Sequence, residues 1–244
     1  MKIRQINIEN FRSLRRVLWM PGELNILIGP NGTGKSNLLY FLNLISKSAS
    51  GKLSKFIQKS GGMTAIVWDG AESFIKCSMD ISYTGKTITQ QHYNFQLNSL
   101  GMGGMYHISK EDLTASNRSS SNEKEIVKLI ERSTKKAIIY DEKGKGLETS
   151  ENFVSEEESL LSIAAGPFIG NQCLSTFQKG LASITIYHDF QTHMGAPVRH
   201  PSISRMEKRV DPEITNHSNP NCWMHLQIKI RQQQSHNGKM GKPY

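Results

Sequence analysis

The sequence predicts an α/β protein in which a mixed sheet is joined, after its first helix, by an inserted antiparallel, hairpin-rich layer. Two observations predict it. The apolar run Leu24–Ile28 leads at once into a glycine-rich turn and then into Leu38, Leu39, Leu42 and Ile45 at helical spacing, the order strand, loop, helix. Beyond Gly62 the period changes to two: Ile75, Cys77, Met79, Ile81 and Tyr83 alternate with Lys76, Ser78, Asp80 and Ser82, and Tyr93, Phe95 and Leu97 alternate with Asn94, Gln96 and Asn98. Alternation of this kind around the turn Thr84-Gly85-Lys86 is the pattern of antiparallel hairpins.

The elements follow in order. Ile3, Ile6 and Ile8 alternate with polar residues over 2–9, a half-buried strand with an irregularity near Arg4-Gln5. A turn at Asn10-Phe11-Arg12-Ser13 leads to a second strand, Leu14 to Met20, which Pro21-Gly22 breaks. Leu24 to Ile28 has the continuous apolar character of a buried central strand. Asn37 to Lys47 reads as a helix, and Gly51 to Gly62 as a short basic helix closed by Gly61-Gly62. After the hairpin strands, Ser116 to Asn122 is a polar loop, Glu123 to Arg132 a helix, and Ala137 to Tyr140 a strand before the turn Lys143-Gly144-Lys145-Gly146. Short helices are expected at Ser159–Ala164 and Gln172–Leu181, and a strand at Ile184–Tyr187. Residues 1–212 form the folded domain on this reading. The stretch 213–244, rich in Asn, Gln and His, is a polar tail with little fixed structure.

Composition bounds the function. The chain has 244 residues, 37% of them hydrophobic and 21% charged, as in ordinary globular proteins. A net charge of +9 favours polyanionic partners, DNA among them. Cys77, Cys173 and Cys222 lie far apart and make no metal-type or redox-type pair. The N-terminus is too polar for a signal peptide, and the longest apolar stretch, Leu38 to Ile45, is too short to span a bilayer. A cytoplasmic protein without a membrane partner is expected.

The chemistry concentrates in Gly29-Pro30-Asn31-Gly32-Thr33-Gly34-Lys35-Ser36. Glycines let backbone wrap a phosphate without Cβ clashes, and Gly32 and Gly34 are expected in conformations that other residues resist. Successive N–H groups then form an anion nest, and the following helix adds its positive end. In this pattern Lys35 reaches the β- and γ-phosphates of ATP, and the Ser36 hydroxyl is the ligand to Mg²⁺. The string is only moderately specific by itself; its position between an apolar run and a helix raises that specificity. A ligand-free glycine turn would not ask for a lysine and a serine at those two places.

Flanking residues narrow the class. Asn10-Phe11-Arg12-Ser13-Leu14, followed by Leu24 to Leu39 with its phosphate loop, resembles the opening of RecF, SMC and OLD-type ATPases, the ABC-like branch of P-loop NTPases. The chain looks most like the bacterial AAA family ATPases of that branch. Ser60-Gly61-Gly62 and Val67-Trp68-Asp69-Gly70 are similar to that group, and Ala196-Pro197-Val198-Arg199 more loosely so. The resemblance extends over the first 70 residues, is patchy to about 212, and is absent beyond. It implies ATP and Mg²⁺ bound by residues 29–36 with Asn37 following, and Arg12 near the nucleotide. It implies a homodimer closed through the ATP site, in which the loop of one head faces a signature motif of the other. In the intact family a Walker B Asp and its neighbouring Glu hold metal and activate water for hydrolysis.

The chain departs from that pattern. It holds no Leu-Ser-x-Gly-type signature followed by an apolar strand ending in Asp-Glu. Ala137-Ile138-Ile139-Tyr140-Asp141-Glu142 has a Walker B ending, but no signature helix precedes it and the glycine-lysine turn after it reads as a hairpin. The expectation is the front half of an ATPase, its tail supplied by a shifted frame or a premature end. A nucleotide-binding relic without turnover and the ATPase component of an anti-phage defence system are the alternatives. A transporter subunit would not open with the Asn-Phe-Arg-Ser turn.

Other features have bland readings beside sharp ones. Lys52, Lys55 and Lys59 fall on one helical face, which suits a solvated surface better than a nucleic-acid contact. His188 and His193 flank Asp189 without further ligands at defined spacing, a surface cluster rather than a metal site. Glu156-Glu157-Glu158 reads as a solvated helix start.

Overall fold

The computed structural model describes residues 1–68, 72–83, 89–101, 104–118, 124–133, 136–148, 155–164 and 171–186. The chain divides into two compact units, Met1–Asn25 with Pro30–Ile186, and Ile26–Gly29 with Tyr187–Tyr244. All the strands and helices described belong to the first. Of the second, only Ile26–Gly29 is described. The polar tail, the His188–Asp189–His193 cluster, the Thr84-Gly85-Lys86 turn and Ala196–Arg199 lie outside the described residues.

Eight strands form one antiparallel sheet: β1 (Lys2–Phe11), β2 (Leu14–Trp19), β3 (Phe74–Tyr83), β4 (Thr89–Leu100), β5 (Met105–Arg118), β6 (Lys124–Ser133), β7 (Lys136–Tyr140) and β8 (Gly146–Glu148). Their order is β2-β1-β3-β4-β5-β6-β7-β8, so the expected hairpin layer is continuous with the opening strands rather than separate from them. The irregularity read near Arg4-Gln5 is a register shift between Ile3 and Gln5 in the pairing of β1 with β3.

Alternation sorts the sheet into two faces. Ile6, Ile8, Ile75, Cys77, Met79, Tyr93, Phe95 and Leu97 are buried, while Lys76, Gln90 and His92 remain exposed. Helices α1 (Lys35–Ala49), α3 (Leu160–Ala164) and α4 (Gln172–Ala182) contribute to the same core, and α2 (Leu53–Lys59) packs on α1. Phe41 of α1 meets Phe11 of β1 edge to face at 5.2 Å, and Phe177 of α4 lies 5.4 Å from Tyr93 of β4. Asn171 caps α4, its side chain accepting from the Leu174 N–H at 3.1 Å.

The structure corrects several expectations. The run Leu24–Ile28 is not a buried strand: Leu24 is 73% and Ile28 68% exposed, and no described strand pairs with it. A central strand needs hydrogen-bonded neighbours on both sides, and the described sheet, wholly antiparallel, offers none here. The local turn also competes, since Asn25 Oδ1 accepts from the Gly22 N–H at 2.9 Å and Asn25 Nδ2 donates back to Gly22 O. Leu39, placed with Leu38 and Leu42 on the apolar face, points outward, and Phe41 and Leu44 take the core positions.

Residues 124–133 are strand β6, not a helix. Ile126, Leu129 and Ile130 have helical spacing, but a register shift between Leu113 and Thr114 alters the period of two and leaves both Leu129 and Ile130 buried. Residues 116–118, read as loop, continue β5, and 184–186 carry no strand pairing.

Candidate functional site

The β1–β2 turn and the start of α1 form one corner of the first unit. Asn10 (φ 60) and Arg12 (φ 49) both have positive φ, a conformation that disfavours a side chain as bulky as arginine. The turn is held in it from outside. The Arg12 N–H donates to Ile66 O at 2.8 Å, the Trp68 N–H donates to Asn10 O at 2.9 Å, and Phe11, fully buried, bridges to Val67. The Val67-Trp68 segment therefore sits against Asn10–Arg12.

The loop from Pro30 to Ser36 packs on that turn. Gly32 (φ 85) and Gly34 (φ 89) both have positive φ, a conformation that other residues resist, as the phosphate-loop reading expects. Gly34 is also closed by space: a Cβ there would lie 2.8 Å from Leu14 Cδ2 and 2.9 Å from Ser13 Oγ. It occupies the N-cap position of α1 without any side-chain cap, and Leu38 N–H begins the helix by donating to Gly34 O at 3.0 Å. The first turn of α1 contains no acidic residue. A helix start of this kind presents backbone donors and the positive end of its dipole to an anion.

The side chains agree with that polarity. Lys35 Nζ curls back, donating to Pro30 O at 2.5 Å and to Thr33 Oγ1 at 3.2 Å, while Thr33 Oγ1 donates to Pro30 O at 3.0 Å. The loop thus folds around its own ammonium, the group a phosphate would draw on. Ser36 is exposed at the second helical position. Asn37 links loop to turn: its Nδ2 donates to Ser13 Oγ at 2.7 Å, and its Oδ1 accepts from Arg12 Nη1 at 3.4 Å. The structure therefore brings Pro30–Asn37 and Arg12 to one corner. Gly29 belongs to the second unit.

Asp141 and Glu142 lie elsewhere. They begin the β7–β8 turn, where Asp141 Oδ1 accepts from the N–H groups of Lys143 at 2.9 Å and Lys145 at 2.8 Å, and Gly144 has φ 74. Glu142 Oε1 accepts from the Gln172 N–H at 3.0 Å, at the start of α4. Five inter-strand steps separate β7 from β1. The turn they begin closes the antiparallel pair of β7 with β8. The hairpin reading holds.

The remaining candidates resolve into structure. Lys52, Lys55 and Lys59 are solvent-exposed along α2. Glu158, expected to be solvated, instead accepts from the N–H groups of Leu53 at 3.3 Å and Ser54 at 3.0 Å, and so caps α2. The sequence reading passed over Tyr40 and gave Trp68 no contact. Tyr40, one turn beyond Asn37, lies under the Arg12 guanidinium at 4.2 Å, and Trp68 lies under Arg15 at 4.9 Å. An aromatic at helical spacing from a phosphate loop carries no signal of its own without knowledge of which turn packs on it. Among the described residues no cluster of metal-binding side chains occurs, and no helix is long and apolar enough to cross a membrane.

Comparison with known proteins agrees with the corner's chemistry. A family model described as an AAA ATPase domain matches residues 1–162, more than half the chain, and includes the loop, the β1–β2 turn and strands β1–β8. No curated protein matches the chain.

Proposed function

The chain belongs to the AAA ATPase domain family, and from that premise we propose that residues 29–36 bind the phosphates of ATP with Mg²⁺ in the manner of the RecF/SMC/OLD branch. The observation that carries the reading is Gly34. Its positive φ and the absence of room for a Cβ leave an uncapped helix start facing outward from a loop with Lys35 at its centre. Pro30, Asn31, Gly32 and Thr33 supply the loop, Lys35 the cation, Ser36 the hydroxyl for Mg²⁺, and Asn37 holds the Arg12 turn in place. Bound ATP and Mg²⁺ would supply the polyphosphate and its counter-cation; the chain's part is to hold and orient them. In the intact family two such heads close on the nucleotide as a homodimer, and hydrolysis follows.

On this reading the chain alone binds nucleotide and turns it over very slowly or not at all. Binding that is equal in ground and transition states does not speed the chemical step. A glutamate that positions water and a trans-acting signature motif would act in the transition state. Trans-acting groups in P-loop enzymes are worth about 10³–10⁵ in rate. Asp141 and Glu142 already serve a turn and a helix start. Phosphate release from ATP, measured beside Glu142→Gln, is expected to stay near background for both proteins. Robust turnover that Glu142→Gln abolishes would identify Glu142 as the catalytic glutamate and overturn this account of the hairpin.

A further inference from the structure

The aromatic stack beneath Arg12 has an order that packing alone does not require. The guanidinium of Arg12 lies 4.2 Å over the Tyr40 ring. That ring is fixed on other sides by Phe56, with centroids 4.9 Å apart, and by Phe11 at 6.2 Å. Its hydroxyl is hydrogen-bonded to Ser60 Oγ, which in turn donates to Phe56 O at 2.7 Å. Tyr40 follows Ser36 by four residues and Asn37 by three, so all three share the face of α1 that begins at the phosphate loop. Arg12 is thus held between a ring below and the Asn37 carboxamide beside it, within one turn of the helix start. The positive φ of Arg12 aims the side chain into that place at some expense in backbone strain.

We propose that Tyr40 is a positioning residue of the nucleotide site: its ring holds the Arg12 guanidinium against the first turn of α1, where that cation adds to the loop's grip on the polyphosphate. The inference rests on the phosphate-binding reading above and assigns a residue to it. The electron-rich ring face attracts the cation, and the Phe56 and Ser60 contacts keep the ring from following Arg12 if the turn moves. Arg12 acts on the phosphates; Tyr40 acts through Arg12.

A double-mutant cycle tests it, with MgATP affinity measured by calorimetry on the full chain and the thermal midpoint recorded for each variant. Tyr40→Met removes the ring face but keeps an apolar, helix-compatible side chain. Tyr40→Phe keeps the ring face and removes only the hydroxyl. Tyr40→Met is expected to weaken ATP by about 3- to 30-fold, the range of a cation–π contact, and Arg12→Ala, which removes the cation itself, by about 10- to 150-fold. The double variant should bind no more weakly than Arg12→Ala alone, and Tyr40→Phe should stay within about 3-fold of wild type. A merely structural role would leave the two effects multiplying, and that result would overturn the proposal. So would Tyr40→Met binding ATP as wild type does while Arg12→Ala does not. Loss of the underlying reading looks different: Lys35→Ala would then bind ATP as tightly as wild type.

Discussion

Replacing Glu111 by alanine is expected to destabilise the fold by about 3–5 kcal/mol, the range for breaking a buried charged pair by removing one partner. Glu111 is fully buried on β5. It accepts from Tyr93 Oη at 3.1 Å, Ser159 Oγ at 2.5 Å and the N–H groups of Leu160 at 2.9 Å and Leu161 at 3.4 Å, and Arg132 Nη1 lies 3.8 Å away. Arg132 in turn donates to Glu158 O at 2.8 Å and Ser155 O at 3.0 Å. Together they fasten 155–161 to the sheet, and through Glu158 that segment caps α2, which packs on α1. Alanine would leave the buried Arg132 guanidinium without its counter-charge and the Tyr93, Ser159, Leu160 and Leu161 donors without their acceptor. The thermal midpoint should fall by about 6–20 °C. A fall equivalent to less than about 1 kcal/mol, the scale of a single ordinary hydrogen bond, would show that the network is not a fastening.

The effect has a pH signature. Burial pushes the Glu111 carboxyl above its ordinary value, opposed by its hydrogen bond from Ser159 and the charge of Arg132. A raised value means the folded state holds the proton more tightly than the unfolded chain does. The contribution is therefore full below the unfolded pKa, about 4.3, and declines as pH rises through the folded value. The gap in stability between wild type and Glu111→Ala should be widest in acid and narrow toward neutrality.

Lys35→Ala is expected to weaken ATP binding by about 10- to 150-fold. Each charge-assisted hydrogen bond from the ammonium to phosphate is worth about 1.5–3 kcal/mol, and about 1.4 kcal/mol is tenfold in affinity. The ammonium already lies inside the loop, on Pro30 O and Thr33 Oγ1, so phosphate would exchange neutral oxygens for anionic ones. The fold should not change, because the first helical position of α1 tolerates alanine. Calorimetry that finds equal affinity in the two proteins would remove Lys35 from the site.

Much of this was legible in the sequence where one local rule decides. Alternation located β3 and β4, and Pro21-Gly22 closed β2. The glycine-rich string marked Gly32 and Gly34 for conformations that other residues resist, and both have positive φ. What escaped depends on partners distant in sequence. Residues 124–133 satisfy a helical pattern, and only pairing with β5 and β7 across a register shift makes them a strand. Glu111 looks like any charged residue of a half-exposed strand until Tyr93, Arg132 and Ser159 converge on it. Tyr40 gains its place only when the β1–β2 turn folds back over α1. Leu24–Ile28 failed in the opposite direction: its composition asks for burial in a ladder, and the described sheet contains no strand to pair with it.

If this corner grips phosphates, titration of the full chain with ATP and with AMP, each with Mg²⁺, separates that grip from recognition of base and sugar. AMP shares the base, sugar and α-phosphate but lacks the groups that Lys35 and Ser36 are proposed to hold. ATP should bind at least about tenfold more tightly than AMP, since even one charge-assisted hydrogen bond to the β- or γ-phosphate is worth that much. Equal affinities, or no binding of ATP, would contradict it.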